Sequence, residues 1–243
     1  MVAVAALWGV VLASSFAQAV SGFGFAMIAI PLLIPVVGAK AAVVIATLLS
    51  GALTLGASLG DRAHVQWRPV LTLSAAAVCG IPVGVLLLVL ADPTLLAVAI
   101  GVIVIITAVL LARRTSPRVR GTGILAGAGF ASGVLLSSTG INGPPVVMAF
   151  QPNGAPPQQF RASLQAAFLI QDVMVCVGFA VVGQLDGKSL LLAATAVPFL
   201  AGGWWLGDRV FDRISPRMFR QAALAMLFLS GILAVAHAVT TLV

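Results

Sequence analysis

A lone acid inside an apolar run, and two clusters of Gly, Ser, Thr and Asn, are the residues that could do chemistry. Asp172 lies eleven residues beyond Arg161, or ~16 Å along a helix, which is mid-membrane depth. A charge there is costly, and it marks a coupling site or a neutral acid hydrogen-bonded within the bundle. Proton coupling is the chemistry Asp172 suggests. The other acids, Asp61, Asp92, Asp186, Asp208 and Asp212, fall in loops or at span ends. The first cluster is Gln18 with Ser21-Gly22-Phe23-Gly24; the second runs Ser137-Ser138-Thr139-Gly140-Ile141-Asn142-Gly143. Gln18, Ser21, Ser137, Ser138, Thr139 and Asn142 carry groups that donate to oxyanion oxygens. Gln165 and Gln171, on the following run, are weaker candidates. A Ser or Thr inside a helix more often bonds its own backbone. Gly22, Gly24, Gly140 and Gly143 let backbone approach a ligand closely, although small residues in membrane helices often serve packing alone.

The elements that must position these residues are membrane helices. The chain is 61% hydrophobic and 8% charged and has 243 residues, whereas a soluble domain carries about a quarter charged residues. Six runs reach the ~20 residues needed to cross a bilayer: 41–59, 70–90, 95–112, 162–182, 190–206 and 218–239. The regions 2–37 and 121–150 are interrupted by the two clusters, and the pieces that follow, 25–37 and 144–150, are too short to cross. Both regions read as re-entrant hairpins whose tips reach the membrane middle. The opening run resembles a signal peptide, but no positive side chain precedes it and more apolar sequence follows, so it reads as structural. Cys79 and Cys176 sit in apolar runs and read as buried, inert thiols without a disulfide.

A net charge of +7 could suggest nucleic acid, but the basic residues sit in short loops without exposed aromatics, so no nucleic-acid partner is expected. They read as topology signals. With Arg113, Arg114, Arg118 and Arg120 in the cytoplasm, every arginine falls inside and only Lys40 and Lys188 fall outside, a positive-inside bias. Both termini are then outside a bacterial inner membrane. The two halves resemble each other: Gly80, Gly84 and Pro93 repeat the spacing of Gly203, Gly207 and Pro216. Each half holds a hairpin and three spans, and an odd number of spans inverts the second half. The expected fold is therefore all-α, a polytopic membrane bundle of two inverted repeats. Residues 1–112 form the first repeat, 113–120 a basic cytoplasmic linker and 121–243 the second repeat, within one integral membrane domain.

In that fold the second arm of each hairpin starts at mid-depth, with unsatisfied amides and the positive end of its dipole aimed at one place. Two such starts arriving from opposite faces make an anion site without a fixed cation. Pro144 suits the first turn of its arm, where its missing N–H is not needed. The motifs Ser21-Gly22-Phe23-Gly24-Phe25 leading to Pro31-Leu32, and Gly133 with Thr139-Gly140-Ile141-Asn142-Gly143-Pro144-Pro145, resemble the two repeat motifs of the TauE/SafE sulfite exporter family. The resemblance extends in hydropathy and length over the whole chain; the first motif is less glycine-rich than is common in the family. It implies transport of small sulfur-containing anions such as sulfite or organosulfonates.

The expected function is a secondary transporter of a small anion working by alternating access. An anion channel shares the same site and stands as the alternative. An intramembrane enzyme would need a nucleophile with a base, paired acids or metal ligands, and the sequence lacks those parts. No cofactor or metal is expected, nor an ATP-binding loop. The expected partners are the small anion, the lipid bilayer and, as a candidate, a second copy of the chain.

Overall fold

The computed structural model describes residues 2–60, 62–113, 121–150 and 156–211. Among these, breaks at Gly, Pro and short polar stretches divide the chain into nine α-helices and one 3-10 turn, with no strand. The helices are α1 (Val2–Ser21), α2 (Phe25–Val37), α3 (Ala39–Gly60), α4 (Trp67–Leu90), α5 (Pro93–Arg113), α6 (Thr122–Thr139), α7 (Gly143–Phe150), α8 (Pro157–Val181) and α9 (Gly187–Phe211). Five of the expected spans are α3, α4, α5, α8 and α9; the sixth, 218–239, and most of the basic linker lie outside the described residues.

Among the described residues seven helices are long and apolar enough to cross a membrane, and these include α1 and α6. Here the structure differs from the expected six. The glycine breaks fall after 20 residues in α1 and 18 in α6, so each first arm has the length of a full span. Only the second arms, α2 with 13 residues and α7 with eight, are short. The exposed faces of the spans are apolar, as at Leu86, Leu87 and Leu90 on α4, Val177 and Val181 on α8, and Leu191 on α9. Surfaces of this kind belong against lipid. The chain is a multi-pass membrane protein. Cys176 is half-buried, but Cys79 lies exposed on the outer face of α4, contrary to the expected buried thiol; both are free.

The helices form two compact units, and neither unit is a sequence half. One contains α1, α2, the first part of α3, α5 and α9; the other contains the rest of α3, α4, α6, α7 and α8. In the first unit α1 packs on α9 and α2, and α2 reaches α5. In the second α4 packs on α6 and α8, and α7 fits against α6 and α8.

Paired glycines make both principal crossings close. A side chain at Gly80 or Gly84 of α4 would strike the α6 backbone at Phe130 and Val134, and Gly129 and Gly133 of α6 lie as tightly against Leu73 and Ala77. On α9, Gly203 meets Leu12 and Ser15 of α1, and Gly207 meets Phe16 and Ala19. The equally spaced pairs noted in the two halves thus do the same work, letting backbones approach where lipid offers little drive for association. Gly133, quoted above within a motif, serves packing.

Two helix starts are capped by exposed acids. Asp92 Oδ1 accepts the amides of Thr94 at 2.8 Å and Leu95 at 3.2 Å, and Asp186 Oδ1 accepts that of Ser189 at 3.0 Å. The Thr94 and Leu95 amides hold the Asp92 carboxyl below its ordinary range, and the Ser189 hydroxyl and amide do so for Asp186.

Candidate functional site

The two breaks are built alike from different residues. At the end of α1 the Gly22 amide donates to the Gln18 carbonyl at 2.7 Å, and at the end of α6 the Gly140 amide donates to the Leu136 carbonyl at 2.8 Å. Both glycines are left-handed, with φ of +80° and +74°, a conformation that glycine enters without a steric penalty. Gly24 and Asn142 then begin the short arms, accepting the amides of Ile28 at 3.2 Å and Val146 at 3.5 Å on their carbonyls.

Within the first unit, the start of α2 is held by Gln18. Its side-chain oxygen accepts the Phe25 amide at 3.0 Å, and the residue is 3% exposed. Gln18 thus satisfies one of the orphan donors that every helix start leaves. Ser21 is the last residue of α1; its side chain lies outside the described residues. Gly22 is buried and Gly24 half-buried.

Within the second unit, the start of α7 is surrounded by polar groups. Asn142 and Gly143 are buried. The Asn142 Nδ2 donates to Gln171 Oε1 at 3.2 Å, and the Ser132 hydroxyl donates to the same oxygen at 2.7 Å. Gln171 Nε2 is buried and has no partner among the described residues. Backbone donors are scarcer here than at an ordinary helix start. Pro144 fits the first turn as expected, but Pro145 follows it, and neither carries an amide hydrogen.

The hydroxyls of Ser137, Ser138 and Thr139 are turned inward. Ser137 donates to Gly133 at 2.7 Å and across to Ile81 of α4 at 3.0 Å; Ser138 donates to Val134 at 2.6 Å and Thr139 to Leu135 at 2.8 Å. All three protons are therefore committed to carbonyls, the local competition known for Ser and Thr in helices. Gln165 is buried on α8 at 2% exposure. Six residues separate it from Gln171, about 240° of helix turn, so the two side chains leave α8 in different directions.

Asp172 sits well inside α8 and is 1% exposed. The Ser50 hydroxyl of α3 donates to its Oδ2 at 2.8 Å, while Oδ1 is buried without a partner among the described residues. No group of His, Cys, Asp or Glu able to hold a metal occurs among the described residues.

The geometry thus brings Asn142, Gly143, Gln171 and Ser132 together and stations Asp172 beside them in the sequence. Ser132 was missed from the sequence, and Gln171 was only a weaker candidate alongside Gln165, because no local spacing links either Ser132 or Gln171 to Asn142. A break lined by neutral donors inside an apolar helix bundle suits a small anion in passage.

Comparison with known proteins points the same way. The family model described as Sulfite exporter TauE/SafE matches residues 6–234. A protein of Cupriavidus necator named Probable sulfite/organosulfonate exporter TauE is 29% identical over 225 residues, covering 88% of this chain and 87% of its own. No solved structure matches the chain. With seven span-length helices among the described residues and the family match running over nearly all of its length, the chain belongs to the sulfite exporter TauE/SafE family, whose members are membrane transporters and not enzymes.

Proposed function

We propose that the chain exports a small sulfur oxyanion, sulfite or an organosulfonate, across the bacterial inner membrane by alternating access. The observation that carries this reading is the start of α7. It is a helix break inside an apolar bundle, lined by the buried Asn142, Gly143 and Gln171, in a chain whose relative from Cupriavidus necator is named for sulfite and organosulfonate export. Neutral donors hold an anion without fixing it, because hydrogen bonds and the helix dipole are strong enough to bind and weak enough to release. The Gln18-capped start of α2 is the corresponding feature of the first unit, and the shared construction of the two breaks supports an inverted repeat. In this reading the arginine-bearing loops face the cytoplasm and both termini face outward.

Asp172 is the proposed proton carrier. The Ser50 hydroxyl donates to its Oδ2 and Thr54 interacts with the carboxyl from the same helix, while Oδ1 has no hydrogen-bond partner among the described residues and is open to take up and release a proton. The test is uptake into proteoliposomes of purified protein, with sulfite or sulfoacetate under imposed pH gradients. Saturable flux that a proton gradient accelerates, and that loses this response in Asp172→Asn, is the expected result. Asn preserves an oxygen for the Ser50 hydroxyl. Unsaturable conductance would indicate a channel, and an unchanged pH response in Asp172→Asn would remove the coupling role.

A further inference from the structure

An amide side chain held by its oxygen alone has its two hydrogens to give. Gln171 is in that state: Ser132 and Asn142 both donate to Oε1, at 2.7 and 3.2 Å, while Nε2 is buried and unpaired among the described residues. Nε2 shares a carbon with Oε1, and Asn142, which donates to that oxygen, is also the residue that begins α7. The unpaired nitrogen therefore lies beside the α7 start. A buried donor without an acceptor is costly, so its persistence needs a reason.

The start of α7 supplies one. A helix normally presents several free amides at its first turn, but Pro144 and Pro145 remove two of them and leave Gly143 as the backbone donor there. The α8 side chain that Asn142 contacts carries an unused nitrogen close to this donor-poor start. Because α7 packs on both α6 and α8, the three helices that meet here each contribute: Ser132 from α6, the cap and Gly143 from α7, Gln171 from α8.

We infer that Gln171 is a substrate-binding residue whose Nε2 donates to one oxygen of the transported oxyanion at the start of α7, with Ser132 and Asn142 setting the orientation of its amide. The inference rests on the anion-transport reading above and deepens it. Nε2 is covered in this structure, so binding requires α7 and α8 to part. Ser132 is a positioning residue: it touches Gln171, and its hydroxyl ensures that the oxygen faces α6 and the nitrogen faces away.

The experiment is calorimetric binding of sodium sulfite and of sulfoacetate to the full-length protein in lipid nanodiscs, comparing wild type with Gln171→Glu and Gln171→Met. Ionised Glu keeps the oxygen that Ser132 and Asn142 donate to and puts a repelling charge in place of the donor, so it is compared above the pH at which its carboxyl ionises; Met removes both the donor and the oxygen without adding charge. Losing a hydrogen bond to a charged ligand weakens binding by about tenfold to a hundredfold. That loss in both variants, with folding retained by size exclusion, is the expected result. Binding within twofold of wild type in either folded variant would overturn the role of Gln171 and leave the transport reading standing. Absence of binding by the wild type itself would overturn both. A measurement independent of any variant's folding is the side-chain amide signal of Gln171 in wild-type protein carrying 15N-glutamine. It moves on addition of sulfite if Nε2 meets the anion, and stillness at saturation would overturn the inference.

Discussion

Gly202 and Gly203 are neighbours in α9 and differ in what surrounds them. A Cβ at Gly202 would meet nothing within 4 Å among the described residues, whereas one at Gly203 would lie 3.1 Å from the Leu12 carbonyl carbon and closer still to its oxygen and to Ser15 Oγ. Ser15 can rotate away, although its hydroxyl would lose the bond to the Leu12 carbonyl at 3.0 Å. The Leu12 carbonyl cannot move without displacing α1. Gly202→Ala therefore gains the helix preference of Ala over Gly, about 0.5–1 kcal/mol. Gly203→Ala receives the same gain but adds an overpacking cost of about 1–3 kcal/mol, for a net loss of up to about 2.5 kcal/mol. The shared gain cancels, so the two variants differ by that overpacking cost, about 1–3 kcal/mol, or about 2–12 °C for a chain of this size. Thermal melts in one detergent, followed by size exclusion with tryptophan fluorescence, give the comparison. Equal melting temperatures, or a Gly203→Ala more stable than Gly202→Ala, would refute the close crossing of α1 and α9.

Three further outcomes follow from hydrogen bonds already described. Ser137→Ala removes a contact between α6 and α4 and lowers stability by about 0.5–1 kcal/mol, in the range of membrane side-chain bonds, while leaving sulfite affinity unchanged; loss of binding would mean that its hydroxyl meets substrate. Gln18→Leu strands the Phe25 amide at the start of α2 and costs about 1–3 kcal/mol, and Gln18→Glu, which keeps an acceptor, recovers most of it in the same melt. For Asp92 the sign follows from its lowered carboxyl range: the cap contributes above the ordinary Asp range and is lost as pH falls through the lower folded value. Melts from pH 8 to 5 are therefore flat with respect to this group, and Asp92→Ala is destabilised at neutral pH while Asp92→Asn, which still accepts the Thr94 amide, is not.

Much of the fold was legible because membrane helices declare themselves through unbroken apolar length. The spans corresponding to α3, α4, α5, α8 and α9 follow from that alone, as do the positions of both breaks. The full length of α1 and α6 was harder to see, since Ser14, Ser15 and Gln18 dilute the first and seven small residues of Gly and Ala the second. Composition also marked the α7 start as polar. It could not say that Ser137, Ser138 and Thr139 turn their protons inward, nor that Gln18 uses its oxygen on an amide seven residues ahead. The choice of Gln171 over Gln165 depends on which face of α8 meets α6 and α7. That face is set by packing between helices distant in sequence, and apolar residues all round a span leave no stripe from which to read it.

The seating of α1 on α9 has a consequence for how the protein is made. Trp8 donates from its indole to Thr195 at 3.4 Å and stacks on Phe199 with ring centres 4.7 Å apart, a contact between residues 187 positions apart. At ~5–20 residues per second the ribosome needs roughly 10–40 s to supply that partner. Throughout that interval the first helix waits in the bilayer with its docking face open to lipid or to chaperones. Nascent chains halted before residue 187 should thus be the preferred prey of membrane quality-control proteases, and co-expressing the missing C-terminal fragment should rescue them.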